Sequence, residues 1–373
     1  MSISLAAGPG KTRAADARAG AALERLLAHK RSPGVQYMFV SADAVLAEHN
    51  LGVADLVAQA PVTERTTFNA YSVTKTFTAA AILLLAEQRR LELDAPLAQY
   101  LGPGAFAGSP TIRQTLTHSA GFANPNPMSW VHLAEAHAAF DKPAFVRGVL
   151  HANHRLKSRP GDVVAYSNLG YLLLGEVIER VSGQPYVEFV QRQLIQPLGL
   201  QDGETLAFTI ARPQAHARGT LKRWGLLDLA FGLFLSRDRF IAARCGAWLQ
   251  LRDLYVNGAA YGGLIGNARG FARYLQGLLG RGDYLGAANR ALLLSPARGR
   301  SGRELGRSLG WPIGRLEGQA YFAHAGGAAG YYCEIRIYAQ IGRASVVMFN
   351  RSGIRDEHFL DGIDRFFIAG DGR

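Results

Sequence analysis

The sequence predicts a mixed α/β protein in which the two chain ends build one α/β domain and a helical domain is inserted between them. Three observations carry this reading. A strand-like run, VQYMFVS, stands near the start, and two more, YYCEIRIY and ASVVMFN, stand near the end. Between them, from about residue 95 to residue 290, helical periodicity dominates. Sheet-forming text at the ends and helices in the middle match a discontinuous domain with an insertion.

The elements follow in order. Residues 1–20 are rich in Ala, Gly and Arg and read as a loose leader. Ala21 to Lys30 has helical spacing. Gly34 to Glu48 reads as a strand, a turn and the start of a second strand, and Gly52 to Thr67 as loop. Phe77 to Leu91 is a long Ala- and Leu-rich helix, with Arg89 and Arg90 at the end where cations suit the helix dipole. Gly and Pro punctuate the middle at 102–110, 121–127, 160–161 and 197–203. Gly170 to Val181 and Tyr186 to Leu194 are amphipathic helices. Tyr331 to Tyr338 and Ala344 to Asn350 are strands joined by a turn at Gln340 to Arg343. Glu357 to Ala369 closes as a helix. The division is therefore an α/β domain from 21–80 and 290–373, and a mainly helical domain from 81–289 with a variable insertion at about 205–260.

Composition narrows the classes. The chain has 373 residues, 48% hydrophobic and 19% charged, as expected of a folded enzyme and not of a disordered chain. Cys245 and Cys333 are its two cysteines, too few for a disulfide scaffold and in no zinc-ligand spacing. The formal charge of +12 invites an anionic partner. The arginines are scattered without basic-aromatic interleaving, which argues against nucleic acid. The N-terminus lacks a long apolar run after its first charges and does not read as a secretory signal. The expectation is a cytoplasmic protein, or an exported one whose signal has been removed. No stretch reaches the ~18–20 apolar residues of a membrane span. Trp224 to Leu235 comes nearest and reads as a packed helix of the insertion, with peripheral membrane contact or an apolar cleft wall as the sharper options. Oligomeric state has no sequence signal.

Three short patterns carry chemistry. In Ser72-Val73-Thr74-Lys75, a serine opening the helix places a lysine one turn later on the same face. The helix N-terminus favours negative charge at the serine oxygen, and its N–H groups suit an oxyanion. A buried Lys75 loses basicity and accepts the serine proton. The alternative is a helix cap with a surface lysine, but TFTAAAILLLAEQ is too apolar for a surface helix. In Tyr166-Ser167-Asn168, a tyrosine beside an ammonium has a lowered pKa and suits general acid–base work. Asn168 suits a substrate carbonyl and also Lys75. Tyr255-Val256-Asn257 is a rival without the Pro-Gly frame of Tyr166. In His324-Ala325-Gly326-Gly327, glycines on an edge strand let backbone approach a substrate. Gly327 N–H suits the second oxyanion donor, and His324 offers a polar or cationic group to a substrate carboxylate.

In this order the patterns resemble the serine β-lactamase and penicillin-binding-protein superfamily, and within it the class C β-lactamase, DD-peptidase and esterase branch. Leu93-Asp94-Ala95-Pro96-Leu97, Leu116-Thr117-His118-Ser119-Ala120-Gly121-Phe122, Pro197-Leu198-Gly199-Leu200 and Gly262-Gly263-Leu264 are similar to runs of that branch, and the likeness covers about residues 34–353. The resemblance implies an antiparallel sheet flanked by helices with an inserted helical domain. It implies an acyl-enzyme on Ser72, with Lys75 and Tyr166 sharing the proton, and with Asn168, His324, Gly326 and Gly327 binding a small ester, amide or peptide. No cofactor or metal is required. The third pattern departs from the Lys-Thr-Gly usual in β-lactamases, which points to an esterase- or DD-peptidase-like activity. A catalytically silent relative using the same cleft is the alternative. Tyr71 stands where a small residue is common and is expected to narrow the pocket.

Other signatures fail. There is no Gly-x-Ser-x-Gly elbow and no His-Glu-x-x-His, and His151 and His154 lack further metal-ligand company. In the Gly8 to Thr12 run, Leu5 stands where a phosphate loop needs its first glycine.

Overall fold

The computed structural model describes residues 9–102, 106, 110–125, 130–161, 163–223, 237–281, 284–353 and 358–369. Trp224 to Leu235, expected as a packed helix or membrane contact, lies outside these residues.

A helix, α1 (Pro9–Ala28), opens the described chain. It corrects the loose leader from residue 9 onward: Ala15, Ala19 and Leu23, at helical spacing, bury one face. The strands β1 (Gly34–Ser41), β2 (Val45–Asp55) and the short β3 (Ala60–Pro61) follow, so the region read as loop from Gly52 begins as strand. Four strands return near the end: β4 (Ile313–Leu316), β5 (Gln319–Ala328), β6 (Tyr331–Tyr338) and β7 (Arg343–Phe349). Together they form a seven-stranded sheet in the order β4-β5-β6-β7-β1-β2-β3 with every pair antiparallel.

β1 is buried at every position because the sheet is covered on both faces. Val35, Tyr37 and Phe39 pack with Ala19, Leu23, Val347 and Phe349 under α1 and the last helix, α5 (Asp361–Ile368). Met38 and Val40 point the other way, into the large core with Phe77, Phe271 and Met348. The two-residue period of a strand sorts the side chains. Gln36 is fully buried on that second face. Its Oε1 accepts from Ala268 N (2.9 Å) at the start of α4 (Ala268–Gln276), and its Nε2 donates to Thr63 O (2.6 Å).

Between the strands lie α2 (Thr74–Glu87) and α3 (Asn168–Ser182). From Thr74 to Leu83 α2 is buried on every side, the condition of a helix apolar all round. The segment 205–260 differs from the helical expectation. Its described part holds a three-stranded sheet of Thr220–Lys222, Trp248–Leu251 and Ile241–Cys245. Leu221, Phe240, Leu249 and Leu251 form its small core. It is tied to the main sheet, with Thr220 N donating to Gly330 O (3.0 Å) between β5 and β6. Paired strands here satisfy backbone groups that isolated short runs leave open.

Candidate active site

Ser72 sits in a single 3₁₀ turn, Tyr71–Val73, immediately before α2. The turn is held from several sides. Tyr71 has φ +45°, a strained value for a bulky residue that surrounding contacts must enforce. Thr74 Oγ1 donates to Tyr71 O (2.6 Å) and accepts from Leu264 N (2.9 Å), while Ala70 N donates to Leu264 O (2.9 Å). The Tyr71 ring is buried, and its hydroxyl donates to Ala329 O (3.1 Å). It packs in the core near Tyr331, where it was expected to narrow the pocket.

Lys75, one turn later, is fully buried. Its Nζ donates to Asn168 Oδ1 (2.9 Å) and Tyr261 O (2.7 Å) and lies 3.1 Å from Ser72 Oγ. The first two partners only accept, so they claim two N–H groups. The remaining position on nitrogen faces Ser72 Oγ. As an ammonium it donates there; as an amine it presents a lone pair to the serine proton. Nζ also lies 4.9 Å from the centre of the Tyr166 ring, within cation–π range.

Tyr166 donates its hydroxyl to Ser72 Oγ at 2.6 Å and is 36% exposed, so the site opens to solvent on its side. Asn168 begins α3 behind the N-cap Ser167, whose Oγ accepts from Gly170 N (3.1 Å). The rival Tyr255 is spent elsewhere: its hydroxyl accepts from Ile210 N (2.9 Å), and Asn257 bonds His132 Nδ1 (2.7 Å).

His118 brackets Tyr166 and was not singled out from the sequence. Its carbonyl accepts from Ala165 N (2.8 Å), its Nδ1 accepts from Ser167 N (3.1 Å), and its ring centre lies 4.6 Å from that of Tyr166. It has φ +55°. Burial, with the charges of Arg307 and Lys75, holds it neutral, well below the ordinary histidine pKa. Its signal in the sequence is the run Leu116-Thr117-His118-Ser119-Ala120-Gly121.

His324, Gly326 and Gly327 lie on β5. β4 pairs with β5 only up to Phe322, so 324–328 is locally an edge facing the serine turn. Gly326 explains its own identity: a Cβ there would fall 2.1 Å from Ala70 O and 2.6 Å from Ser72 N. Gly326 acts through this close spacing, and the neighbouring Gly327 is exposed. His324 corrects the cationic option. It is buried, Nδ1 donates to Ala325 O (2.9 Å), and burial followed by the charge of Lys75 pulls its pKa to about 3. It is a neutral imidazole.

A nucleophile, two proton-handling groups and a glycine edge thus meet at one oxygen. The family model described as Beta-lactamase matches residues 20–367. The chain belongs to the beta-lactamase family. Penicillin-binding protein 4* of Bacillus subtilis is 24% identical over 77% of this chain and 61% of its own length. Esterase EstB of Burkholderia gladioli is 32% identical over 54% of this chain and 53% of its own. The chain thus spans about 61% or less of these curated relatives. The octameric penicillin-binding protein homologue of Pyrococcus abyssi superimposes with a TM-score of 0.74 at 21% identity, covering 93% of this chain and 76% of that one. In this member of the beta-lactamase family His324 is neutral, and the charges that act on it are those of Lys75 and Arg307.

Proposed function

We propose that this protein is a serine hydrolase that cleaves an ester or amide bond through an acyl-enzyme on Ser72, with esterase- or DD-peptidase-like activity and weak action on β-lactams. The observation that carries this is the convergence of Lys75 Nζ (3.1 Å) and Tyr166 Oη (2.6 Å) on Ser72 Oγ. Similarity to an esterase and a penicillin-binding protein supports the same reading.

Ser72 Oγ attacks the substrate carbonyl as its proton passes into the Lys75–Tyr166 pair. The negative oxygen forms between the Ser72 and Gly327 N–H groups, where fixed dipoles stabilise it without reorganisation. Tyr166, on the open side, protonates the leaving atom as its bond to carbon breaks. A water entering there gives its proton to Tyr166 and attacks the acyl carbon, and Ser72 recovers its proton as the acid departs. Asn168 holds Lys75 through Oδ1 and turns its amide nitrogen to the substrate. The weak β-lactam prediction follows from His324, which brings no charge to a β-lactam carboxylate.

A fluorophosphonate probe with intact-mass readout tests the reading. One adduct on the folded protein, absent from Ser72→Ala, is expected. An adduct that survives the substitution, or none on the wild type, overturns it. Nitrocefin, p-nitrophenyl esters and a D-Ala-D-Ala peptide then rank the bond type.

A further inference from the structure

Arginines are scattered along most of the chain, but two short segments that the fold brings beside Tyr166 are locally enriched in positive charge. Residues 155–162 and 298–307 hold seven Lys and Arg in eighteen positions, where the chain's average would place about two. Against them stand Asp162, outside the described residues, and Glu304, so the pair of segments carries a formal +5 of the chain's +12. Arg155, Lys157, Arg159, Arg298, Arg300 and Arg303 are all exposed. Glu304 pairs with Arg298 (3.1 Å), and no described carboxylate pairs with the other five. Some half-buried arginines elsewhere are paired, as Arg113 is with Asp94, Arg269 with Glu48 and Arg273 with Glu204, while exposed ones such as Arg89 and Arg192 pair with no described carboxylate; what sets these two segments apart is their density of charge. A cluster left without counter-charge raises the local concentration of anions.

The fold brings the segments together and to the site. Lys157 N donates to Gly121 O (2.7 Å), Gly161 N to Ser119 O (2.9 Å) and Ala165 N to His118 O (2.8 Å), so the first segment runs along the strip that holds Tyr166. The Arg300 side chain packs over Gly161, 3.1 Å from where a Cβ would stand. At the inner end of the second segment the charge of Arg307 acts on His118, Tyr171 and His324. Gly310, just beyond it, packs against Lys75 O and the Tyr171 hydroxyl.

We propose that these segments form a basic collar on the leaving-group side of the cleft and select substrates whose leaving group carries a negative charge. This rests on the serine hydrolase reading, in which Tyr166 protonates the leaving group and so fixes which side it occupies. The collar supplies, outside the third motif, positive charge that His324 does not.

The test compares phenyl hexanoate with 3-carboxyphenyl hexanoate, whose acyl groups are identical and whose phenols are close in basicity. At low salt, about 10 mM, kcat/KM for the anionic ester exceeds that for the neutral one by about tenfold. The ratio falls toward one at about 0.5 M NaCl, where screening shortens to a few Å. It also falls in the variant Arg155→Gln, Arg159→Gln, Arg300→Gln, Arg303→Gln, whose turnover of phenyl hexanoate reports that it is folded. A ratio near one at low salt, or a ratio that persists in the variant, overturns the collar alone. Failure of the wild type to turn over either ester overturns the collar, and if the fluorophosphonate probe also leaves no adduct on Ser72 the hydrolase reading falls with it.

Discussion

Gly326→Ala adds one methyl group at the point where β5 meets the serine turn. Its Cβ would lie 2.1 Å from Ala70 O, 2.6 Å from Ser72 N and 3.0 Å from Val73 N. All three atoms are backbone, so no side chain can swing aside. To reach the 3.0 Å that real Cβ contacts respect, the strand and the turn must separate by about 0.9 Å. Forced overpacking of this kind costs ~1–3 kcal/mol of stability. The catalytic cost is larger, because the same displacement acts on the gap between Ser72 N and Gly327 N. An oxyanion hydrogen bond of about 2.9 Å stretched by that amount leaves the bonding range, and removal of one such donor costs ~10²–10³ in kcat. The expected result is a folded protein, by circular dichroism, with Tm lowered and kcat on p-nitrophenyl butyrate reduced by about 10² or more. Wild-type kcat with wild-type Tm would refute the claim that this spacing sets the oxyanion site.

Four further outcomes follow from the same geometry. Tyr166→Phe removes the hydroxyl 2.6 Å from Ser72 Oγ and is expected to lower kcat by ~10²–10⁴, measured by single-turnover acylation; a loss under tenfold would remove Tyr166 from the proton path. His118→Asn offers an amide oxygen near the Nδ1 position that accepts from Ser167 N and should retain more kcat than His118→Ala, with KM moving less than kcat; equal losses in the two variants would show that this acceptor is irrelevant. His324, with a folded pKa of about 3, below that of a free histidine, stays unprotonated from pH 5.5 to 8, so His324→Asn should leave the shape of the pH–kcat/KM profile there unchanged; loss of an acid limb near pH 6–7 in that variant would show that the imidazole titrates. Arg336→Met strands the buried Glu334, whose Oε1 accepts from Arg336 Nε at 2.7 Å, and should cost ~3–5 kcal/mol in urea unfolding; a double variant that also carries Glu334→Leu should recover part of that loss, and no recovery would mean the pair is not what the arginine serves.

The sequence was legible where chemistry is local and where a period is long enough to count. Ser72 and Lys75 are one helical turn apart, so their meeting follows from spacing, and the apolar run after them already demanded a buried lysine. Tyr166 and Asn168 required the order of motifs, because they reach Lys75 across about ninety residues of chain. The strands β1, β6 and β7 were legible from runs of seven or eight residues rich in β-branched and aromatic side chains, broken only by single polar residues such as Gln36, Glu334 and Arg336. The strands of the 220–251 region were not, since runs of three to five residues such as Thr220–Lys222 carry no measurable period and are stabilised only by their partners. The helix from Pro9 was hidden by an Ala- and Arg-rich composition that is as compatible with a loose leader as with a face packed on α5.

His118 and His324 show why side-chain charge is harder to read than side-chain position. Both motifs were visible, but the protonation state of an imidazole is set by what surrounds it. The surroundings here are burial and the positive charges of Lys75 and Arg307, and Arg307 joins the site only through folding. A neutral His324 separates two tasks that a lysine in the third motif would combine. The glycine edge keeps the oxyanion geometry, while attraction for an anionic substrate passes to charges outside the motif. If the collar is neutralised, anion preference should therefore fall while acylation of a neutral ester continues. If Gly326 is enlarged, both should fall together. Finding the two losses inseparable would mean that binding charge and catalytic geometry share one set of residues after all.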